Sequence, residues 1–149
     1  MNKKQKMQSR INVDHLSHCI KVLEDGYKYM QEHQPESVLY DIFRSACIKE
    51  FEVILEQCGK LLKKRLRVFF ASNKAVDELT FKDIFRYAAK HGLISMESGE
   101  RWLIYRDNRN STAHDYGKNF AEQTLKLLPK FIIDAKEVLS LLRSSKVND

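Results

Sequence analysis

Eight consecutive residues, Arg109-Asn110-Ser111-Thr112-Ala113-His114-Asp115-Tyr116, hold most of the reactive side chains that this sequence places close together. A histidine whose pKa lies at about 6.5 can take up or release a proton at cellular pH. An arginine is always charged and offers a phosphate two parallel donors, which also stabilise charge developing on its oxygens. Ideal helix geometry turns about 100° per residue, so Arg109 and His114 lie roughly 140° apart, whereas Arg109 and Tyr116 fall within about 20°. One straight helix therefore cannot aim all three at a small target. A break near Asn110 to Thr112, or a second copy of the stretch from another subunit, would bring them together. Ser111 or Thr112 can cap a new helix, with Asp115 in reciprocal position to Thr112 and Gly117 suited to a left-handed stop. The plainer reading is an arginine bound to a helix carboxylate, a surface histidine and a buried tyrosine.

Two further groups could carry chemistry. Glu52 and Glu56 lie one helical turn apart. They form a solvated face, a pair for Arg109 across the protein, or a catalytic carboxylate if the pKa is raised. Lys60, Lys63, Lys64, Arg65 and Arg67 are the densest basic cluster, interleaved with Leu61, Leu62 and Leu66. Such a run is a solvated helix face or a groove for an RNA backbone or acidic partner. His15 and His18 have a metal-compatible spacing but no further ligand near them in sequence, so no metal is expected. The glycine-rich phosphate loop is absent, as is the Gly-Ser with paired Asp of a nucleotidyltransferase core.

The elements that must position these groups are helices. Five Gly and two Pro punctuate 149 residues, and apolar residues recur at spacings of three and four. The pattern predicts a first helix over about 11–33, carrying Leu16, Cys19, Ile20, Leu23 and Met30. Ser37 caps a second of about 30 residues, whose apolar positions extend to Phe69 and Phe70. Residues 71–79 read as a polar connection. Thr80-Phe81-Lys82-Asp83 opens a third helix that stops at Gly92, and Ser95 caps a fourth carrying Trp102. Asn119 and Glu122 have cap spacing for the last helix, which Pro129 should kink or divide. The expected fold is all-α, an up-and-down bundle of four to five helices. It forms a single domain over 11–143, between a basic tail at 1–10 and a frayed tail at 144–149.

Hydrophobic content of 43% and charged content of 31% suit a globular chain with a sizeable core. No apolar run approaches the roughly 20 residues of a membrane span, and no apolar segment follows the basic N-terminus as in a signal peptide. Cys19, Cys47 and Cys58, within apolar helical patterns, read as buried free thiols in a reducing cytoplasm. The net charge of +6 favours polyanions or an acidic protein partner.

The stretch Arg109-Asn110-x-x-x-His114-x-Tyr116 resembles the signature of the HEPN superfamily, in the form seen in toxins paired with minimal nucleotidyltransferases and also described as nucleotidyltransferase substrate-binding proteins. Phe51-Glu52 with Glu56, Leu62-Lys63, Gly92-Leu93-Ile94 and Glu100-Arg101-Trp102 resemble further motifs of that family, and the resemblance spans roughly 12–143. Cys58-Gly59 departs from the family's more usual Ala-Trp. The resemblance implies a HEPN helical bundle and metal-independent RNA cleavage by Arg109 and His114, without a cofactor. Asn110, Glu52 and Glu56 would support them, and Lys60, Lys63, Lys64 and Arg67 would contact RNA or a partner. It also implies a homodimer with two motifs face to face, and a cognate nucleotidyltransferase that silences the nuclease by adding AMP to Tyr116. The alternative is a non-catalytic subunit that binds nucleotide or substrate for that transferase.

Overall fold

A computed structural model describes residues 11–111 and 118–144, and all the regular structure among them is helical. Helix α1 spans Asp14–Gln31, inside the predicted 11–33, and α2 spans Val38–Leu66. The Asp14 amide donates to Asn12 Oδ1 at 2.9 Å, and the Tyr40 amide donates to Ser37 Oγ at 3.0 Å. Each contact satisfies one of the orphan donors at a helix start. The connection between them is short, so α1 and α2 form an antiparallel hairpin. Leu16, Cys19, Ile20, Leu23 and Met30 bury one stripe of α1. They face Cys47, Phe51, Ile54, Leu55, Cys58 and Leu62 of α2.

Helix α2 is shorter at its C-terminal end than the apolar pattern predicts. It stops at Leu66 and passes through a 3-10 turn, Arg67–Phe69, where Phe69 is exposed rather than in the core. Residues 71–79 are likewise not a plain connection. Ser72 Oγ accepts the Ala75 amide at 3.2 Å and starts a short helix α3, Asn73–Asp77, which buries Val76. A segment this short, with one buried side chain, has too little periodicity to announce a helix.

Helix α4, Phe81–Lys90, begins with the expected capping box between Thr80 and Asp83. It ends before Gly92, whose φ of 71° lies in the left-handed region open to glycine. Helix α5, Met96–Ser111, starts where the Ser98 amide donates to Ser95 Oγ at 3.0 Å. Arg109 and Asn110 are helical, and the expected break near Asn110 to Thr112 runs into residues outside the described ones. Helix α6, Lys118–Ser144, runs as one element through Pro129 and already includes Asn119, which is therefore not its cap. The ring of Pro129 removes one backbone bond, yet Leu128, Phe131 and Ile132 around it are buried, and their packing carries the helix past the gap.

The core is aromatic where α2, α5 and α6 meet. Phe51 and Phe131 have ring centroids 4.6 Å apart, and Tyr105 stands edge-on to Phe131 at 5.0 Å. Trp102 stacks on Phe85 of α4 at 4.5 Å. Cys19, Cys47 and Cys58 are buried and unbridged. Of the expected tails at 1–10 and 144–149, Ser144 belongs to α6, and residues 1–10 and 145–149 lie outside the described residues.

Candidate functional site

Helix α5 is the element that delivers Arg109, and buried or half-buried polar contacts at three levels fix its placement. At its start, Glu137 of α6 accepts from the Ser95 amide at 3.1 Å and from Ser98 Oγ at 2.6 Å. One turn on, Arg101 donates to both carboxylate oxygens of Asp134 at 2.8 Å, and Tyr105 Oη donates to the same carboxylate at 2.5 Å. Asp134 is 1% exposed, so a buried charge is matched by a bidentate guanidinium and a phenol. Burial and then the bond to Asp134 push the Tyr105 phenol well above its ordinary range. Near the end of the helix, Asn108 Nδ2 donates to Thr124 Oγ1 at 3.0 Å, both residues being buried. The turn that carries Arg109 is thus bolted to α6 on its inner side.

On its other side that turn faces a groove of about 580 Å³ between α2, α4 and α5. Glu52, Glu56, Lys60 and Lys63 line it from α2, Phe81 and Ile84 from α4, and Arg106 and Arg109 from α5. Five of the residues singled out in the sequence therefore share one depression: Arg109, both glutamates and two lysines. Arg109 is half-buried there.

Glu56 pairs across the groove with Arg106, three residues before Arg109. Its Oε1 accepts from Arg106 Nη1 at 2.5 Å. The Arg106 guanidinium carbon also stands 4.5 Å from the Phe81 ring centroid, a cation–π arrangement. Phe81 in turn packs against the bare backbone of Gly59, where any Cβ would come within 2.9 Å of the ring. The small residue at 59 is what lets this ring settle against α2. Just outside, Lys82 bonds Asp107 at 2.6 Å and ties α4 to α5.

Other singled-out residues stand elsewhere. Asn110 is exposed and is not among the groove residues. Lys64 is exposed on α2. Arg67 turns toward α3, donating to Asn73 Oδ1 at 2.9 Å and pairing with Asp77 at 3.5 Å. Lys63 reaches the same Asp77 carboxylate at 3.5 Å, so α3 partly neutralises the far end of the basic run. His114 and Tyr116 lie outside the described residues, as do Thr112, Asp115 and Gly117. His15 and His18 are not in the groove, and among the described residues no group of three His, Cys, Asp or Glu could hold a metal ion. No helix among the described residues is long and apolar enough to cross a membrane.

Among the groove residues that reading the sequence passed over are Arg106 and Phe81. Arg106 precedes Arg109 by three, a spacing that puts both on one helix face, and that signal was available. The contact of Phe81 with Gly59 joins residues on two different helices, and no local pattern encodes it.

Residues 11–144 match the family model described as nucleotidyltransferase substrate binding protein like. The chain is 31% identical over 113 residues to a Haemophilus influenzae protein named "Probable ribonuclease HepT", covering 76% of each. It superimposes with a TM-score of 0.74 on a Haemophilus influenzae structure described as revealing the fold of a substrate-binding domain of a nucleotidyltransferase. That match is 27% identical and covers 89% of this chain and 99% of the other. A crystal structure of a Thermus thermophilus protein gives a TM-score of 0.63 at 26% identity, covering 84% and 98% respectively.

Proposed function

Because the chain belongs to the nucleotidyltransferase substrate-binding-protein-like family, a HEPN-like family of helical bundles, we propose that it is a HEPN toxin: a metal-independent endoribonuclease held in check by a cognate minimal nucleotidyltransferase. The observation that carries this reading is the place of Arg109. It lines a groove with Lys60 and Lys63 at the C-terminal end of α5, immediately ahead of the stretch that contains His114 and Tyr116. The similarity to a protein named as a ribonuclease supports it.

In this mechanism an RNA phosphate binds Arg109, whose guanidinium offers two donors to the non-bridging oxygens. The ribose 2′-hydroxyl loses its proton to one His114 as its oxygen bonds to phosphorus. The bond from phosphorus to the 5′-oxygen breaks, and a second His114 protonates the leaving oxygen. The products are a 2′,3′-cyclic phosphate and a free 5′-hydroxyl. Each chain has one His114, so a homodimer with facing motifs supplies both proton carriers. The dimer would also resolve the mismatch of roughly 140° between Arg109 and His114 on one helix. Asn110 orients a histidine or contacts phosphate. Lys60, Lys63, Lys64 and Arg67 bind the flanking RNA or the transferase, and Glu52 and Glu56 support the groove.

Tyr116 is the acceptor for AMP. The added phosphodiester carries a fixed negative charge and competes with RNA for Arg109. Both proteins act in the cytoplasm. Expression of this chain alone in a bacterial host should arrest growth and degrade RNA, and Arg109→Ala should abolish both effects. Co-expression with the transferase should add AMP to the chain and restore growth, except with Tyr116→Phe. Growth unaffected by the wild-type chain would instead support the second reading, a non-catalytic binding subunit, in keeping with the described role of the Haemophilus structural relative.

A further inference from the structure

Arg106 is held in a way that an ordinary surface ion pair is not. Its guanidinium lies over the Phe81 ring at 4.5 Å, and that ring is seated against Gly59. Its Nη1 bonds the Glu56 carboxylate at 2.5 Å, although Glu56 is 58% exposed and could turn to water. Arg106 itself is 26% exposed, and it opens into the same groove as Arg109 and Lys60. A planar guanidinium accepts a carboxylate or a phosphate through the same fork of donors.

We propose that Arg106 is a second RNA-phosphate-binding arginine of this groove and that Glu56 is its internal latch, a carboxylate that occupies the fork until an RNA phosphodiester displaces it. This rests on the ribonuclease reading above and adds a binding subsite one helical turn before Arg109. Residues three apart on a helix have side chains about 5–6 Å apart at their base, so both arginines can reach successive phosphates of one strand. Displacement costs the Arg106–Glu56 contact, offset in part because the exposed Glu56 carboxylate regains water. The clamp by Phe81 keeps Arg106 in place when Glu56 leaves. The latch therefore tunes affinity: it sets a threshold that weakly bound anions do not cross.

The test uses a fluorescent single-stranded 2′-O-methyl oligoribonucleotide, which lacks the attacking hydroxyl and cannot be cleaved. Its affinity is measured by anisotropy over a series of salt concentrations. Glu56→Gln should tighten binding by about fivefold to tenfold, since it keeps the shape of the latch but not its charge. Arg106→Gln should weaken binding by about tenfold and lower the salt slope by about 0.7, the contribution of one phosphate contact on a single strand. Arg106→Lys should keep the slope and still bind more weakly, having charge without the fork. The double variant, Glu56→Gln with Arg106→Gln, should bind no better than Arg106→Gln alone. Equal tightening by Glu56→Gln with and without Arg106 would reduce the effect to bulk charge and overturn the latch, as would an unchanged slope in Arg106→Gln. Cleavage of ordinary RNA by the wild-type protein, measured in parallel, separates the two claims. If cleavage stands and these shifts are absent, only the latch fails; if no form binds the oligonucleotide, both fail.

Discussion

Asp134 shows how much of this site depends on one side chain that never touches it. Its carboxylate is buried and takes three hydrogen bonds from Arg101 and Tyr105, and so holds α5 in register against α6. Asp134→Ala leaves a guanidinium and a phenol without their acceptor. The expected cost is about 3 kcal/mol, the lower end for a broken buried pair, because Arg101 retains some access to water. Urea denaturation would read this as a lowered midpoint at constant slope, and an unmoved midpoint would show that water substitutes for the carboxylate. Alkaline pH probes the same interior. Burial pushes the Cys47 thiol from 9.0 up to about 11, and pushes Cys58 higher still. Above about pH 9 the unfolded chain releases thiol protons that the native state keeps, so stability falls as pH rises. Each thiol contributes a slope of up to about 1.4 kcal/mol per pH unit, and Tyr105 adds to it above about pH 10. Cys47→Ala should flatten the decline between about pH 9 and 11, whatever its own midpoint. Of these residues the sequence made the thiols legible as buried and free. Asp134 gave no sign, because its partners lie 29 and 33 positions away and belong to another helix.

At the scale of elements, the boundaries written in local chemistry are the ones that sequence reading places well. Ser37, Thr80 with Asp83, Gly92 and Ser95 all serve the ends expected of them. Thr80→Ala should cost about 1 kcal/mol and fray the start of α4, next to Phe81 in the groove. Gly92→Ala should cost about 1–2 kcal/mol, since nothing crowds the position and only the left-handed backbone opposes a side chain. The two sites are far apart along α4, so thermal denaturation of the double variant should show additive losses. What local chemistry does not write is shaped by tertiary packing. Helix α3, with one buried residue, escaped notice, and the expected last helix is undivided at Pro129 because its neighbours in the core outweigh one missing backbone bond. The groove was half legible. Glu52, Glu56, Lys60, Lys63 and Arg109 were named from type and spacing, while the pairing of Glu56 with Arg106 depends on the angle at which α2 meets α5, which no local pattern supplies.

For the whole molecule, the proposed mechanism needs two histidines and hence two chains. Met96, Ile104 and Ile133 are more than half exposed on α5 and α6, the helices that border the motif. A two-fold contact there would cover apolar side chains and bring two copies of the Arg109 helix end together. Light scattering at micromolar concentration should therefore give about twice the 17.5 kDa chain mass. Ile104→Glu should shift the protein toward monomer and reduce RNA cleavage in proportion, without loss of helical content by circular dichroism. A variant that stays dimeric would place the interface elsewhere. The net charge of +6 suits a polyanionic substrate and makes any RNA binding weaken as salt rises.

Metal-independent cleavage of RNA by the Arg109 groove and His114, as proposed, is read by incubating the purified protein with transfer RNA in excess chelator and mapping the termini produced. The wild-type chain should generate fragments ending in 2′,3′-cyclic phosphate with 5′-hydroxyl partners. Arg109→Ala should slow the reaction by about a hundredfold to a thousandfold, the loss expected for one transition-state donor, and His114→Ala should abolish it. RNA left equally intact by the wild-type protein and both variants would contradict the claim.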